Sequence, residues 1–294
     1  MELTGSSERF RTACQEARAD GAVVGFVPTM GALHRGHMGL LRKAREECGF
    51  VALSIFVNPL QFTSAQDLAG YPRTLDEDRA VAESLGVDVA FAPEEREMYP
   101  EGTPEITVDP GPLGERLEGA SRPGHFRGVL TVVTRFFNLV GECRAYFGEK
   151  DAQQLALVGR MAVGLSFPVA IVPCPTVRDA DGLAISSRNA RLSPQQRGAA
   201  PVLFEAISDA ATRARSGERN ADVLRAEMAR LIGGEPLARL DYVAIVDEAT
   251  WEDVGTIERP ARALAAAYFG DVRLIDNLPL RWEPPSAVQN KRVN

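Results

Sequence analysis

The sequence predicts an α/β fold, a parallel sheet with helical crossovers followed by a smaller C-terminal α+β domain, and three observations carry that expectation. Short apolar, β-branched runs alternate with stretches of helical periodicity up to about residue 177, the pattern of strands joined by right-handed crossovers. Those runs are apolar almost throughout rather than alternating, as in strands buried on both faces. Beyond Arg178 the chain turns alanine-rich and helical, then into runs that suit a small mixed sheet. The expected division is a first domain at 1–177 and a second at 178–294, with the linker around Val177 to Arg188.

In chain order, Ser7 to Ala19 reads as a short amphipathic helix. Val23 begins a buried strand that Pro28 and Gly31 interrupt, and after Gly36 the positions Met38, Leu40, Leu41 and Ala44 recur at helical spacing up to Gly49. Val51 to Val57 is a second strand, stopped by the turn signal Asn58-Pro59. Leu75 to Leu85 reads as a helix ended by Gly86, and Val87 to Ala92 as a strand closed by Pro93. Gly102 to Gly128 is too rich in glycine and proline for a core element. Val129 to Val140 is an apolar helix, Ala145-Tyr146-Phe147 a short strand, Asp151 to Leu165 helical, and Val169 to Val172 strand again. In the second domain, Arg191 to Ser216 reads as one helix with Ser193 as cap and Pro194 in its first turn. Ala221 to Ile232 is another helix, and Leu240 to Val246, Ala261 to Phe269 and Val272 to Ile275 are strands. The stretch after Trp282, with Pro284-Pro285, reads as a loose tail. There is no internal repeat.

Composition narrows the function. With 294 residues, 45% hydrophobic and 25% charged, the chain is an ordinary globular protein. A net charge of −7 argues against bulk nucleic-acid binding. Cys14, Cys48, Cys143 and Cys174 form no Cys-x-x-Cys pair and read as buried, reduced thiols. The start of the chain does not resemble a signal peptide, and no run approaches the ~18–20 apolar residues of a membrane span. A cytoplasmic enzyme with no membrane or nucleic-acid partner is expected.

The chemistry concentrates where strands end, the place ligands bind in such sheets. His34-Arg35-Gly36-His37 follows a strand and opens a helix, and it holds two of the chain's three histidines. A helix N-terminus attracts anions, and imidazoles add donors for a phosphate. Zinc ligation is the alternative, but no further ligand cluster accompanies the pair. Lys150-Asp151 follows Phe147-Gly148-Glu149 at another strand end, where a lysine can reach a triphosphate as a point charge. Ser186-Ser187-Arg188-Asn189 offers two hydroxyls and a guanidinium to phosphate oxygens, or equally a capping sequence. Gln61 and Gln154 are neutral amides suited to a polyhydroxy or carboxylate ligand. Glu77 and Asp78 are candidates for Mg²⁺, or a solvated acidic pair at a helix start. Glu118 to Gly128, with His125, Arg122 and Arg127, reads as a lid over an anionic site. No Ser/His/Asp order or nucleophile elbow is present, which points to charge stabilisation rather than a covalent enzyme intermediate.

Together these runs resemble the pantoate–β-alanine ligase (pantothenate synthetase) family. The resemblance runs through Val27 to His37, Ser54 to Phe62, Tyr71-Pro72-Arg73-Thr74, Glu118 to Gly128, Phe147 to Asp151 with Gln153-Gln154, Asp181 to Ala184, Ser186 to Asn189 and Arg273 to Asn277. It implies a Rossmann-like sheet domain of the adenylylating (nucleotidylyltransferase) type, with the second domain closing over the ATP site. It implies the ATP-dependent condensation of pantoate with β-alanine through pantoyl adenylate, releasing pyrophosphate and AMP, in pantothenate and coenzyme A biosynthesis. Catalytic roles fall to His34, His37, Lys150 and Arg188. ATP contacts fall to Met30, His34, His37, Gly148, Lys150, Asp151 (ribose), Val177 (adenine side), Ser186, Ser187 and Arg188. Pantoate contacts fall to Gln61 and Gln154, with Pro28, Met30 and Phe62 walling its methyl groups. Tyr71 and Arg122 serve closure or the second substrate, Glu77 and Asp78 fall in the Mg²⁺ region, and the assembly is a homodimer. Two rival readings remain open: a nucleotidylyltransferase that keeps the nucleotide on its product, and a nucleotide-sensing module without turnover.

Overall fold

Six short strands pair in parallel in the first part of this computed structural model, which describes residues 1–281. They are β1 (Glu2–Thr4), β2 (Val24–Thr29), β3 (Phe50–Ile55), β4 (Val89–Phe91), β5 (Cys143–Gly148) and β6 (Val169–Cys174), in the spatial order β1-β4-β3-β2-β5-β6. Between them run α1 (Ser7–Ala19), α2 (Arg35–Glu47), α3 (Ala65–Ala69), α4 (Leu75–Ser84), α5 (Glu95–Met98), α6 (Glu118–Ser121), α7 (His125–Val140) and α8 (Ala152–Gly164). The chain steps outward from β2 to β3 and β4, then returns to β5 on the other side of β2. The direction of winding therefore switches between β2 and β5, and the carboxyl ends of these strands are where such sheets bind ligands.

The α/β alternation is as the sequence predicts, with instructive departures. A sixth strand, β1, pairs with β4 at the sheet edge; Glu2-Leu3-Thr4 is too short to show a period. Pro28 does not end β2 but lies inside it, opposite Ser54 of β3. β2 is registered with β5 only at Gly25 and Phe26, so Pro28 sits beyond that ladder, in the edge-like setting that tolerates a missing N–H. Phe10 stacks on Phe91 at 4.9 Å and Phe26 meets Phe136 edge-on at 5.8 Å, locking α1 and α7 to the sheet.

The expected lid is a packed element. Glu118 to Ser121 is helical, and His125 to Gly128 forms the first turn of α7. Glu118, Gly119, His125, Phe126 and Gly128 are buried. Gly119 and Gly128 serve close approach: a Cβ on Gly128 would collide with the Leu60 carbonyl, and one on Gly119 with that of Gly114.

The chain divides into two units, residues 1–178 with 185–187, and residues 179–184 with 188 onward. In the second, α9 (Pro194–Ala199), α10 (Val202–Arg215) and α11 (Ala221–Gly233) accompany β7 (Ala238–Asp247), β8 (Ala261–Phe269) and β9 (Val272–Leu280). The sheet is antiparallel throughout, not mixed. Ser193 and Gln196 form a reciprocal capping box at the start of α9. The single helix expected from Arg191 to Ser216 is broken into α9 and α10 near Pro201, which has no N–H to continue the ladder. Buried Ala206, Ala210, Ala211, Ala263, Ala265 and Ala267 join one core, where small side chains let helix approach sheet. The tail after Trp282 lies outside the described residues.

Gly128→Ala should lower stability by roughly 2 kcal/mol despite alanine's helix propensity, because overpacking against backbone costs more than the ~1 kcal/mol gained. Urea denaturation checks this.

Candidate active site

The loop after β2 must satisfy its backbone N–H groups without a ladder, and it does so with side chains that also carry charge or titrate. Gly31 and Ala32 both adopt positive φ, 81° and 50°, which turns the N–H groups of Ala32 and Leu33 the same way. Both donate to the Asp78 carboxylate, at 3.0 and 2.6 Å, and Thr74 Oγ1 adds a third hydrogen bond at 3.3 Å. Thr29 Oγ1 accepts from the Gly31 N–H and donates to the Ser54 carbonyl.

His34 is the N-cap of α2. Its Nδ1 accepts from the Gly36 N–H at 3.2 Å, while His37 Nδ1 accepts from the His34 N–H at 3.4 Å. The rings stack, with centroids 4.0 Å apart. With both Nδ1 atoms used as acceptors, each neutral imidazole carries its proton on Nε2, a donor turned away from the cap. Burial, with His34 second, pushes His37 down to about 3 from the ordinary 6.5. Burial followed by the Lys150 charge lowers His34 as well. Lys150 and Asp151, at the end of β5, are thus felt by both rings, and the two pair with each other at 3.5 Å. Gly148 ends β5 directly before them. The expected phosphate donors His34, His37 and Lys150 come together across the switch point. Val177 Cγ2 lies beside α2, 3.5 Å from a Cβ placed on Gly39.

At the end of β3, Pro59–Gln61 forms a turn of 3₁₀ helix capped by Asn58. Gln61 Nε2 approaches Met30 Sδ at 2.8 Å, joining the β2 and β3 loops. The Gln61 carbonyl accepts from His125 Nδ1 at 2.8 Å and Arg122 Nη2 at 3.3 Å. Arg122 Nη1 faces His125 Nε2 at 2.9 Å; since the guanidinium only donates, this imidazole accepts at Nε2 and donates from Nδ1. Arg122 and the third histidine thus brace the Gln61 backbone. Phe62 meets Tyr71 edge-on at 5.6 Å, and Pro28 and Met30 are half-buried. Gln154 is half-buried on α8, while its neighbour Gln153 is buried and binds Leu113, Arg116 and Glu118 backbone.

Two expectations meet a different geometry. Glu77 is exposed and Asp78 is 2% exposed, because successive helical residues point about 100° apart. Asp78 spends its oxygens on the β2 loop, so this pair does not fit a Mg²⁺ site. Among the described residues no group of three or more His, Cys, Asp or Glu could hold a metal. Second, Ser186 and Ser187 belong to the unit that carries the histidines, and Arg188 to the other unit. Sequence reasoning missed Asn58 and Tyr99. Asn58 was legible only as a turn signal with Pro59 and as a member of the Ser54 to Phe62 run, without a role, and nothing local marks Tyr99. The four cysteines are buried and free.

The chain matches the family model for pantoate-beta-alanine ligase over residues 2–279. It is 52% identical to the pantothenate synthetase of Rubrobacter xylanophilus over 285 residues, 95% of this chain and 98% of the relative. It is 51% identical to that of Chloroflexus aurantiacus, over 92% of this chain and 96% of the relative. Among solved structures, pantothenate synthetase from Thermus thermophilus superposes with a TM-score of 0.87 at 46% identity, covering 95% of this chain and 99% of that one. Pantoate-beta-alanine ligase from Francisella tularensis, complexed with beta-gamma ATP and beta-alanine, gives 0.77 at 34% identity, covering 95% and 97%.

The hydrogen bonds of the β2 loop carry two predictions. His37 stays neutral down to about 3 when folded but takes a proton near 6.5 when unfolded. Its stabilisation is therefore complete above pH 6.5 and is lost as pH falls towards 3. His37→Gln, which keeps an acceptor for the cap, should flatten that acid-side fall in urea titrations. Asp78→Ala strands two backbone N–H groups and should cost roughly 2–4 kcal/mol, read by the same method.

Proposed function

The chain belongs to the pantoate–β-alanine ligase family, and from that premise we propose that it joins pantoate to β-alanine in two steps on one site. In the first, the pantoate carboxylate attacks the α-phosphorus of ATP and the bond to the β-phosphate bridging oxygen breaks, giving pantoyl adenylate and pyrophosphate. In the second, the β-alanine amine adds to the acyl carbon, the bond to AMP breaks, and the amine sheds its proton as the amide forms. The observation that carries this reading is the stacked, neutral His34–His37 pair, capping α2 beside Lys150. Two Nε2–H donors, an ammonium and a helix N-terminus suit charge developing on transferring phosphates. A carboxylate is already a nucleophile, so the first step asks for no strong base.

In this reading Gln61 and Gln154 bind pantoate, against Pro28, Met30 and Phe62. Gly148, Asp151 and Val177 contact the nucleoside side of ATP. Ser186, Ser187 and Arg188 contact phosphate, a role resting on the Ser-Ser-Arg-Asn motif. Arg122 acts by bracing the Gln61 loop rather than by closing over substrate, and Tyr71 acts through Phe62. Mg²⁺ enters as the counter-ion of the ATP substrate, since Glu77 and Asp78 do not converge on a site. The four free, buried cysteines suit a reducing cytoplasm. Val163 and Leu165, 82% and 54% exposed near the edge strand β6, support a homodimer, which sedimentation would test.

Pyrophosphate–ATP exchange that needs pantoate but not β-alanine, with AMP appearing only once β-alanine is added, is the expected outcome. A stable nucleotidyl product in place of AMP release would overturn the reading. His34→Ala or Lys150→Ala should slow exchange about 10²–10³-fold with the circular dichroism spectrum unchanged.

A further inference from the structure

Gln61 has its amide oriented by a chain of hydrogen bonds that the two chemical steps do not themselves require. Asn58, 1% exposed, donates from Nδ2 to Gln61 Oε1 and to the Gly128 carbonyl, both at 3.1 Å. Its Oδ1 accepts from the Leu60 N–H at 3.3 Å and from the Tyr99 hydroxyl at 2.8 Å. A flipped Asn58 amide would set NH₂ against the Leu60 N–H and oxygen against the Gly128 carbonyl, so the orientation has one solution. Burial raises the Tyr99 phenol far above its usual range and keeps the hydroxyl a donor.

The consequence passes to Gln61. With Oε1 engaged by Asn58, its NH₂ group is what remains to present. Among the described residues the only partner of Nε2 is Met30 Sδ, a weak acceptor that leaves donor capacity unspent. A buried N–H without a good acceptor is costly until a ligand supplies one.

We propose that Tyr99 is a positioning residue that, through Asn58, locks Gln61 as an N–H donor, so that the acid-substrate pocket demands an accepting oxygen at that point. This rests on the assignment of Gln61 to pantoate. It narrows the sequence expectation of a two-way amide to a one-way donor, and it explains why a tyrosine two hydrogen bonds from that amide is buried with its hydroxyl paired. It also implies that the near-isosteric Gln61→Glu, which offers only acceptors when ionised, repels the ligand oxygen that Gln61 attracts.

The test compares KM for pantoate and for ATP, measured by pyrophosphate exchange on the full chain. Tyr99→Phe should raise KM for pantoate about three- to tenfold, the worth of one hydrogen bond, and leave KM for ATP unchanged. A merely structural loss would lower the active fraction, and with it kcat, without that split. Asn58→Asp removes the Nδ2 donor and should drive Gln61 to flip, raising KM for pantoate at least as much; it decides the matter should Tyr99→Phe fail to fold. Gln61→Ala separates the two levels. If it raises KM for pantoate while the folded Tyr99 and Asn58 variants leave it unchanged, the positioning role is overturned and the pantoate assignment stands. If Gln61→Ala itself leaves KM for pantoate unchanged, the assignment fails and the proposal with it.

Discussion

The reciprocal hydrogen bonds between His34 and His37 at the start of α2 decide more than where a helix begins. The first N–H groups of any helix need acceptors, and the usual supply is a Ser or Thr cap with a Glu at the third position. That pair would satisfy the same backbone, yet it would place a negative charge where the proposed function puts an anion. Two imidazoles satisfy it differently. Each spends Nδ1 on the backbone, which fixes the proton on Nε2, and burial keeps both rings neutral. Helix capping thus takes one side of each ring and leaves the other for the phosphate of the proposed function; protonating His37 at Nδ1 would remove its cap acceptor while Nε2–H stayed a donor.

That cap is useful only because the sheet delivers other loops to it. β2 lies between β3 and β5, so the His34 loop, the Asn58–Gln61 turn and the Lys150 turn leave from neighbouring parallel strands at the same end. Register alone would not hold them in place. Asp78 fixes the β2 loop from below, and Gly128 lets α7 press on the Leu60 backbone closely enough for Asn58 to bridge them. His125 and Arg122 take the Gln61 carbonyl. Pre-placed donors need not reorganise as charge develops.

The sheet, most helices and the strand-end location of the chemistry were legible in the sequence because they depend on local period and on Gly and Pro punctuation. What was not legible depends on partners distant in the chain. Pro28 reads as a strand breaker unless one knows that β2 has left the β5 ladder there. The run from Glu118 to Gly128 reads as a mobile lid because glycine allows both motion and close packing, and the backbone of Gly114 and of the distant Leu60 selects the second at Gly119 and Gly128. Asp78 reads as a metal candidate because an acidic helix start has several uses; the paired N–H groups of Ala32 and Leu33 settle which. The Tyr99–Asn58 bond spans 41 positions and leaves no local trace at all.

The groups collected at the strand ends share a property that no single motif displays. His34, His37 and Gln61 each have an acceptor atom, and in each it is turned inward, onto the Gly36 N–H, the His34 N–H and the Asn58 amide. Asp78 likewise spends its oxygens on the β2 loop. What remains is a donor surface: two Nε2–H groups, the Gln61 NH₂ and the Lys150 ammonium. In the proposed reaction a carboxylate meets a triphosphate, and bringing the two anions together is itself the obstacle. Two unit charges 4 Å apart repel by about 4 kcal/mol at an effective dielectric near 20. The Asp151 carboxylate, which lies beside these donors, is ion-paired with Lys150 at 3.5 Å, and that pairing offsets the repulsion it would add. Turning these acceptors into the scaffold uses them to build the fold, and the same bonds leave donors to face the two anions of the proposed first step.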